Sequence, residues 1–153
     1  MSNRESIAKN VELVLKDMDP PKPAFVTREP FDLQKLAITQ FPAILITTGN
    51  ETREDNAMGG ARRSTIQMNI RGYVRADGRV GQIQTVDQKR NELIERIEET
   101  LELSRDRDIT KSVDNIHNVT TRISGIDVVE RALPLGEVVV TVEVVYRYKK
   151  GVL

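Results

Sequence analysis

Cysteine and tryptophan are absent from this chain of 153 residues, histidine occurs once, and 23 basic residues balance 23 acidic ones. Without cysteine the protein has no disulfide bridges and no thiolate metal ligands, a usage typical of a reducing compartment. No apolar run reaches membrane-spanning length and the first residues contain no apolar signal core, so we expect neither a membrane span nor a signal peptide. Zero net charge argues against a dedicated nucleic-acid binder, because phosphate binding draws on an excess of lysine and arginine.

Residue sets that carry catalysis are missing as well. His117 stands alone in a polar stretch and no serine lies in a Gly-x-Ser-x-Gly elbow, so we expect no catalytic triad. Asp106 and Asp108 form a close carboxylate pair, but the arginines beside them favour a salt-bridged surface over a metal site. The chain also lacks a P-loop and a dinucleotide-binding fingerprint. These absences predict a non-catalytic protein without metal or cofactor, and an enzyme acting through Asp106 and Asp108 is the alternative.

Hydrophobic spacing predicts a first helix over about residues 3–18. Ser2 and Glu5 have the spacing of a capping box, in which the side chain of each residue accepts a hydrogen bond from the backbone amide of the other. The prolines within residues 19–23 end the helix, because proline lacks the amide donor and disfavours a helical residue before it.

A second and longer helix is predicted over about residues 85–103. It begins at the capping box of Thr85 and Gln88. Its apolar stripe, which we expect to pack on a sheet, consists of Val86, Leu93, Ile94, Ile97 and Leu101. Its opposite side carries four glutamates, Glu95, Glu98, Glu99 and Glu102.

Alternating and continuous apolar residues predict the strands. A short strand is expected at 24–27 and an apolar one at 43–47, as in a strand covered on both faces. Residues 64–75 alternate between apolar and polar side chains, which is typical of a half-buried strand. A C-terminal strand pair is expected within about residues 118–148, where Gly125 indicates a bulge or bend.

Residues 49–63 are polar, have no periodicity, and contain the pair Gly59 and Gly60. A connection of about fifteen residues is longer than an ordinary hairpin turn, and loops of that length tend to be functional or disordered. We therefore predict a flexible hairpin loop over 49–63 that orders on contact with a partner.

The order helix, strand, strand, helix, strand, strand fits one domain over residues 1–153. Strands joined by short links pair antiparallel, and two amphipathic helices can cover one face of a sheet. The predicted fold class is α+β, a two-layer sandwich in which a mainly antiparallel sheet of about four to five strands is packed by two main α-helices.

The C-terminal two-thirds of the chain contains a recognisable succession of features. A strand at 66–74 follows the long charged loop, and the capped helix at 85–103 is followed by a strand that ends near Val129. The turn Ala132-Leu-Pro134-Leu-Gly136 then leads into a valine-rich last strand that ends with Tyr146-Arg-Tyr148. This layout resembles the tail terminator proteins of long-tailed bacteriophages, both siphophages and myophages. In that family a Pro-x-Gly turn commonly precedes a valine-rich last strand with an aromatic-basic end.

The resemblance implies a structural virion protein rather than an enzyme. Such proteins form a ring, usually a homohexamer, on the head-proximal end of the tail tube, where they stop tube polymerisation and offer a docking surface to the head connector. The implied partners are copies of the chain, the tail tube protein and a head-completion or connector protein, while DNA passes through the lumen without specific binding. The implied location is the neck of the virion, after assembly in the host cytoplasm. A connector, neck or tail-completion role is the alternative.

Charged residues of the predicted loop and strand are the candidates for contact with the tube, the connector or a neighbouring subunit. They are Glu51, Arg53, Glu54, Asp55, Arg62, Arg63, Arg71, Tyr73 and Arg75. The glutamates of the second helix are candidates for a subunit boundary or the lumen wall. A small nucleic-acid-binding module remains open as an alternative, because Arg71, Tyr73 and Arg75 share one predicted outward strand face. Arg62 and Arg63 would contribute to that binding.

Overall fold

Two helices and five strands make up the residues that the structure, a computed structural model, describes: 3–20, 22–55, 61–76, 85–103 and 116–149. In chain order they are α1 (Asn3–Lys16), β1 (Phe25–Thr27), β2 (Ala43–Asp55), β3 (Ala61–Arg75), α2 (Val86–Glu98), β4 (Ile116–Val129) and β5 (Leu135–Lys149). Two short 3-10 turns, Leu33–Lys35 and Ile38–Gln40, connect β1 to β2, and α2 continues as a π-helical turn over Glu99–Leu103. The predicted α+β fold with two main helices is confirmed.

The strands form one sheet in the order β1-β2-β3-β5-β4. β1 runs parallel to β2, and every other neighbouring pair is antiparallel, so the prediction of a mainly antiparallel sheet is also confirmed. β5 lies in the interior between β3 and β4, and its valines at alternate positions, Val138, Val140, Val142 and Val144, are buried under the helices. β4 forms one edge of the sheet and the three-residue β1 forms the other.

Both helices pack on the same face of the sheet. α1 lies against β1 and β2, whereas α2 lies against β3 and β5 and its π-helical turn reaches β4. The core between them is built from Ile7, Ala8, Val11, Leu15, Met18, Ile44, Ile46, Ile66, Met68, Ile70, Val74, Leu93, Ile97, Leu101, Val138, Val140, Val142, Val144 and Tyr146. The apolar stripes that were predicted for the two helices therefore supply the helix side of this core.

α2 begins where the sequence predicts. The Gln88 amide donates to the Thr85 hydroxyl at 3.2 Å, and the Thr85 amide donates to the Gln88 side chain at 2.8 Å, so the capping box is formed. The corresponding prediction for α1 involves Ser2, which lies outside the described residues. Glu5 instead accepts two hydrogen bonds from Arg28, at 2.5 and 2.7 Å, and these bonds tie the start of α1 to the segment after β1.

Two glycines let α2 approach the sheet closely. A Cβ at Gly136 would lie 2.3 Å from Val86, and a Cβ at Gly72 would lie 2.6 Å from Leu93, both far inside van der Waals contact. Gly136 is the last residue of the Leu-Pro-Leu-Gly turn and the second residue of β5. Because it has no Cβ, the first helical turn of α2 can pack against the sheet there.

The hairpin of β2 and β3 corrects the predicted loop. Residues 49–55 and 61–63 are strand, and 56–60 lie outside the described residues. One extra residue in β2 between Thr48 and Glu51 shifts the pairing with β3, so that Glu51 stands opposite Ile66. This bulge reverses the alternation halfway along the strand, which is why the sequence has no visible period there.

The sheet face that points away from the helices is mostly polar. At one end it is covered by the segment between β1 and β2, where Phe31 contacts Tyr73. Beyond that end the exposed and half-buried side chains include Glu54, Arg63, Thr65, Gln67, Asn69, Arg71, Thr120, Arg122, Thr141, Glu143, Val145 and Arg147. We call this surface the outer sheet face. Within the described ranges, no helix is both long and apolar enough to cross a membrane.

Candidate functional site

The edge strand β4 carries apolar side chains that nothing in the described part of the chain covers. Ile126 and Val128 stand opposite Val140 and Val138 and therefore lie on the helix side of the sheet. Their exposed fractions are nevertheless 40% and 51%, because α2 packs over β3 and β5 rather than over this end of β4. Neighbouring exposed apolar residues on a strand edge are typical of a contact surface.

Glu102 contacts the same strand at Ile123, three positions before Ile126 and five before Val128. The backbone amide of Ile123, in the middle of β4, donates a hydrogen bond to the Glu102 carboxylate. A backbone amide has one hydrogen, so this amide is satisfied by the helix layer and does not require a further strand. We call Ile126, Val128 and Glu102 together the β4 edge, a surface that is apolar with a negative charge.

The helix layer near the other edge of the sheet carries a surface of unlike composition. Leu13 is 52% exposed and lies between Lys9 and Lys16 on the outward side of α1, at the spacing of one helix face. Both lysines are exposed, and Lys16 is only loosely paired with Glu12 at 3.9 Å. We call Lys9, Leu13 and Lys16 the α1 outer face. Since α1 packs on β1 and β2, this face and the β4 edge lie toward opposite edges of the sheet.

The four glutamates of the second helix differ in exposure and in bonding. Glu95 is exposed and Glu98 is half-buried, while Glu99 accepts a hydrogen bond from Arg96 at 2.6 Å. Glu102 alone contacts the backbone of β4. Their predicted position at a subunit boundary or lumen wall remains a prediction, and Glu102 is the member placed at an exposed edge.

Glu51 was predicted to lie in a mobile loop, and this is wrong. The bulge in β2 turns it toward the helix layer, where only 8% of its side chain is exposed. One carboxylate oxygen accepts from Arg53 at 2.5 Å, from Ser64 at 2.7 Å and from the Tyr146 hydroxyl at 3.3 Å. The other lies 3.5 Å from Arg4, which also donates to the Gly49 carbonyl. This cluster attaches the start of α1 to the hairpin.

The ionisation of this cluster follows from its contacts. Burial acts to raise the pKa of Glu51, but the hydrogen bonds from Ser64 and Arg53 and the charge of Arg53 outweigh it, so the pKa is lowered. Burial raises the pKa of Tyr146, and the negative charge of Glu51 acts in the same direction. The carboxylate is therefore charged and the phenol neutral near pH 7, as their mutual hydrogen bond requires.

Tyr73 was predicted to lie on an exposed face with Arg71 and Arg75, and this is also wrong. It does point away from the helices, but only 7% of it is exposed. The Phe31 ring packs edge-on against it at 5.5 Å, and the Arg131 guanidinium lies 5.8 Å from its centroid. Arg131 also bonds the buried Glu137 at 3.1 Å. The cover comes from a segment without periodicity, so alternation along β3 could not reveal it.

The environment of Tyr73 predicts an unusual titration. Burial, followed by the charge and hydrogen bond of Glu137, raises the pKa of Tyr73 to about 12. Because the folded-state pKa exceeds the ordinary value of about 10, this tyrosine stabilises the fold below pH 10 and loses its contribution as the pH rises through 12. The ultraviolet absorbance of the three tyrosines rises as each phenol ionises. We expect the part of this rise that occurs near pH 12 to be lost in Tyr73→Phe. Because the pKa of Tyr146 is also raised, the assignment is contradicted when the late component keeps its full amplitude in this variant.

The remaining predicted contact residues are divided between the two faces. By the strand register, Arg62 lies on the helix side of the sheet. Arg63 and Glu54 are exposed on the outer sheet face. Arg71 is half-buried on that face, and the carbonyl of Arg75 accepts a hydrogen bond from Lys89 at 2.7 Å. The side chain of Asp55, like Asp106 and Asp108, lies outside the described residues. The structure therefore does not bring the predicted set together as one patch.

In the part of the chain that the structure describes, no three carboxylate or histidine side chains converge where they could hold a metal ion. No protein-family model matches the chain, and no curated protein is significantly similar to it. The β4 edge and the α1 outer face are thus the candidate functional surfaces. Sequence reasoning missed Ile126, Val128 and Leu13, because exposure of an apolar residue at an edge depends on where the helices lie.

Proposed function

We propose that this protein is a non-catalytic structural subunit that assembles head to tail into a ring through its β4 edge and α1 outer face. One observation carries the proposal, namely that unlike surfaces that complement each other lie toward opposite edges of the sheet in one subunit. Leu13 supplies an apolar contact for Ile126 and Val128, while Lys9 and Lys16 supply positive charge for Glu102.

Unlike surfaces on opposite sides of a subunit generate a heterologous interface. In such an interface each copy contacts the next through two different patches, and the assembly closes into a ring when the rotation per copy divides a full turn. An isologous dimer would instead need one patch that is complementary to itself. The β4 edge is negative and apolar, so two copies of it would bring like charges of Glu102 together.

Within this class we propose a tail terminator of a long-tailed bacteriophage, forming a ring that caps the head-proximal end of the tail tube. The support is the resemblance of the layout together with the features that would serve it, namely a long edge strand and a second surface opposite to it. A head-tail connector or tail-completion protein would use the same surfaces and differs in its partner. The partners of the proposed ring are the tail tube protein and a head connector.

The alternative of a nucleic-acid-binding module relied on Tyr73 as its central residue, and this residue is covered. Tyr73 lies beneath Phe31 and Arg131, so it offers no ring on which a base can stack. Arg62 and Arg63 point to opposite faces of β3 and cannot act together on one phosphate chain.

The test of the proposed function is solution mass by light scattering, on the purified protein alone and after mixing with a candidate tail tube protein. We expect a ring-sized multiple of the 17.3 kDa chain, either from the start or only when the tube end acts as a template. The matched control is an unrelated tube-forming protein of similar mass. A monomer under every condition would contradict the ring, and a ring that ignores the tube protein would favour the connector role.

A further inference from the structure

Arg63 and Arg147 are direct cross-strand partners near one end of the two central strands, β3 and β5. Arg63 on β3 stands opposite Arg147 on β5, so both side chains project from the outer sheet face, and both are exposed. Like charges placed directly opposite each other on a sheet are destabilising. Such a pair is therefore expected where an anion binds between the two guanidinium groups.

Several other described arginines are paired with carboxylates. Arg28, Arg96, Arg122 and Arg131 each lie within 3.1 Å of a carboxylate oxygen. Within the described residues, no ion pair or hydrogen bond is made by the side chain of Arg63 or of Arg147, and the neighbouring Glu54 does not approach Arg63 within ion-pair distance. The two charges thus remain available on a chain that has no net charge.

The two arginines also share a recess. It has a volume of about 350 Å³ and is lined by Arg63, Arg147, Thr120 and Val145. Arginine forks bind the oxygens of a phosphate, and a threonine hydroxyl adds a further donor. Thr120 and Val145 are themselves cross-strand partners, so the recess is built from adjacent positions on three strands.

We infer that this recess binds phosphodiester groups of a nucleic-acid backbone, without reading sequence. The neighbouring outer sheet face presents hydroxyl and amide side chains, including Thr65, Gln67 and Thr141, which are groups that contact phosphate and sugar. The aromatic side chains of this face, Phe25, Phe31 and Tyr73, pack edge-on against one another at the covered end of the sheet, ten positions along β3 from Arg63, so stacking on bases does not contribute at the recess. A backbone ligand without base contacts is the class of nucleic acid that this surface fits.

The inference stands apart from the proposed ring, since it can be tested on the unassembled chain. The probe is a fluorescent duplex of mixed sequence, titrated by anisotropy between 50 and 200 mM salt, which are about the limits over which phosphate contacts are commonly resolved. Two neutralised phosphates predict a slope of about −1.8 in log affinity against log salt, which is about a 12-fold loss of affinity over that range.

The double variant Arg63→Gln/Arg147→Gln should lose this salt-dependent component, and each single variant should lose about half of the slope. Arg122→Gln is the matched control, because Arg122 lies on the same face but is bonded to Glu143 at 2.6 Å. The control should bind like the wild-type protein. Circular dichroism reports whether each variant is folded, and the single variants keep the test valid if the double variant is not.

Three results would overturn the inference. They are absence of duplex binding at the lowest salt, an unchanged salt slope in the double variant, and equal loss in Arg122→Gln. Inorganic phosphate provides a further arm of the experiment. If it competes with the duplex at equal phosphate concentration, the recess is a site for single phosphate ions and the backbone assignment is wrong.

Discussion

Replacing Glu51 with glutamine will lower the free energy of unfolding by about 2 kcal/mol at neutral pH, because hydrogen bonds to a charged group contribute about 1.5–3 kcal/mol. Only 8% of the Glu51 side chain is exposed, and its carboxylate accepts from Arg53, Ser64 and Tyr146. Glutamine keeps the shape of the side chain but removes the charge. Urea denaturation of dilute protein measures the difference.

The matched control is Glu54→Gln. Glu54 belongs to the same strand but is exposed on the outer sheet face, so its replacement should change the free energy of unfolding by less than about 0.5 kcal/mol. Equal effects of the two substitutions would show that Glu51 is solvated, as the sequence alone predicts.

The pH dependence of this difference has a defined sign. Burial acts to raise the pKa of Glu51. The hydrogen bonds from Ser64 and Arg53 lower this pKa by a larger amount, so the folded-state pKa lies below the ordinary value. The stabilisation is therefore complete above the ordinary carboxyl pKa and is lost as the pH falls through the lowered value. Protonated glutamate resembles glutamine, so the wild-type protein and Glu51→Gln should converge in acid. A difference that stays constant with pH would mean that glutamine disturbs packing instead.

The titration of Glu5 does not affect the difference in stability between the wild-type protein and Glu51→Gln. The hydrogen bond from Arg28 lowers the pKa of Glu5, which gives the wild-type protein a second source of acid sensitivity in the same direction. Both proteins contain this pair, so its contribution cancels in their difference. It remains visible in the acid denaturation of Glu51→Gln itself.

Local periodicity predicted the elements whose packing follows from their own residues. The second helix was found from its capping box at Thr85 and its apolar stripe, because both are set by residues within a few turns. The valines of β5 predicted a strand for the same reason, and the bulge expected near Gly125 is present as a register shift after Ile123.

Long-range placement explains what the sequence did not predict. Residues 49–55 were assigned to a loop, because one extra residue after Thr48 cancels the alternation that identifies a strand. Tyr73 was assigned to an exposed face, because its cover comes from Phe31 about forty positions earlier in the chain. The exposure of Val128 depends on strand order, which places β4 and not β5 at the edge.

Replacing Val128 with lysine is expected to abolish the proposed ring assembly and to leave the subunit folded. Val128 is 51% exposed, so a lysine there can extend into water in the free chain, whereas in the proposed interface it would face Leu13 and the lysines of the α1 outer face. Lysine on an edge strand is a common natural means of preventing association. We expect a monomer of 17.3 kDa by light scattering at every concentration at which the wild-type protein forms rings.

Thr120→Lys is the matched control for this substitution. Thr120 is exposed on the same strand but pairs with Val145, so its side chain projects from the outer sheet face. The substitution Thr120→Lys introduces a lysine side chain into β4, but it does not place that side chain at the proposed contact. Rings should therefore form, and loss of assembly in both variants would assign the effect to the strand and not to the β4 edge.

A mixture of two variants distinguishes a head-to-tail ring from a symmetric contact. Leu13→Lys disables the α1 outer face and keeps the β4 edge, while Val128→Lys does the reverse. In a head-to-tail arrangement each variant alone is monomeric, and the mixture retains one productive contact, because the intact α1 face of one chain meets the intact β4 edge of the other. The mixture should stop at twice the mass of one chain. If the β4 edge instead paired with itself, Leu13→Lys would assemble normally without any partner variant, and the proposed interface would be wrong.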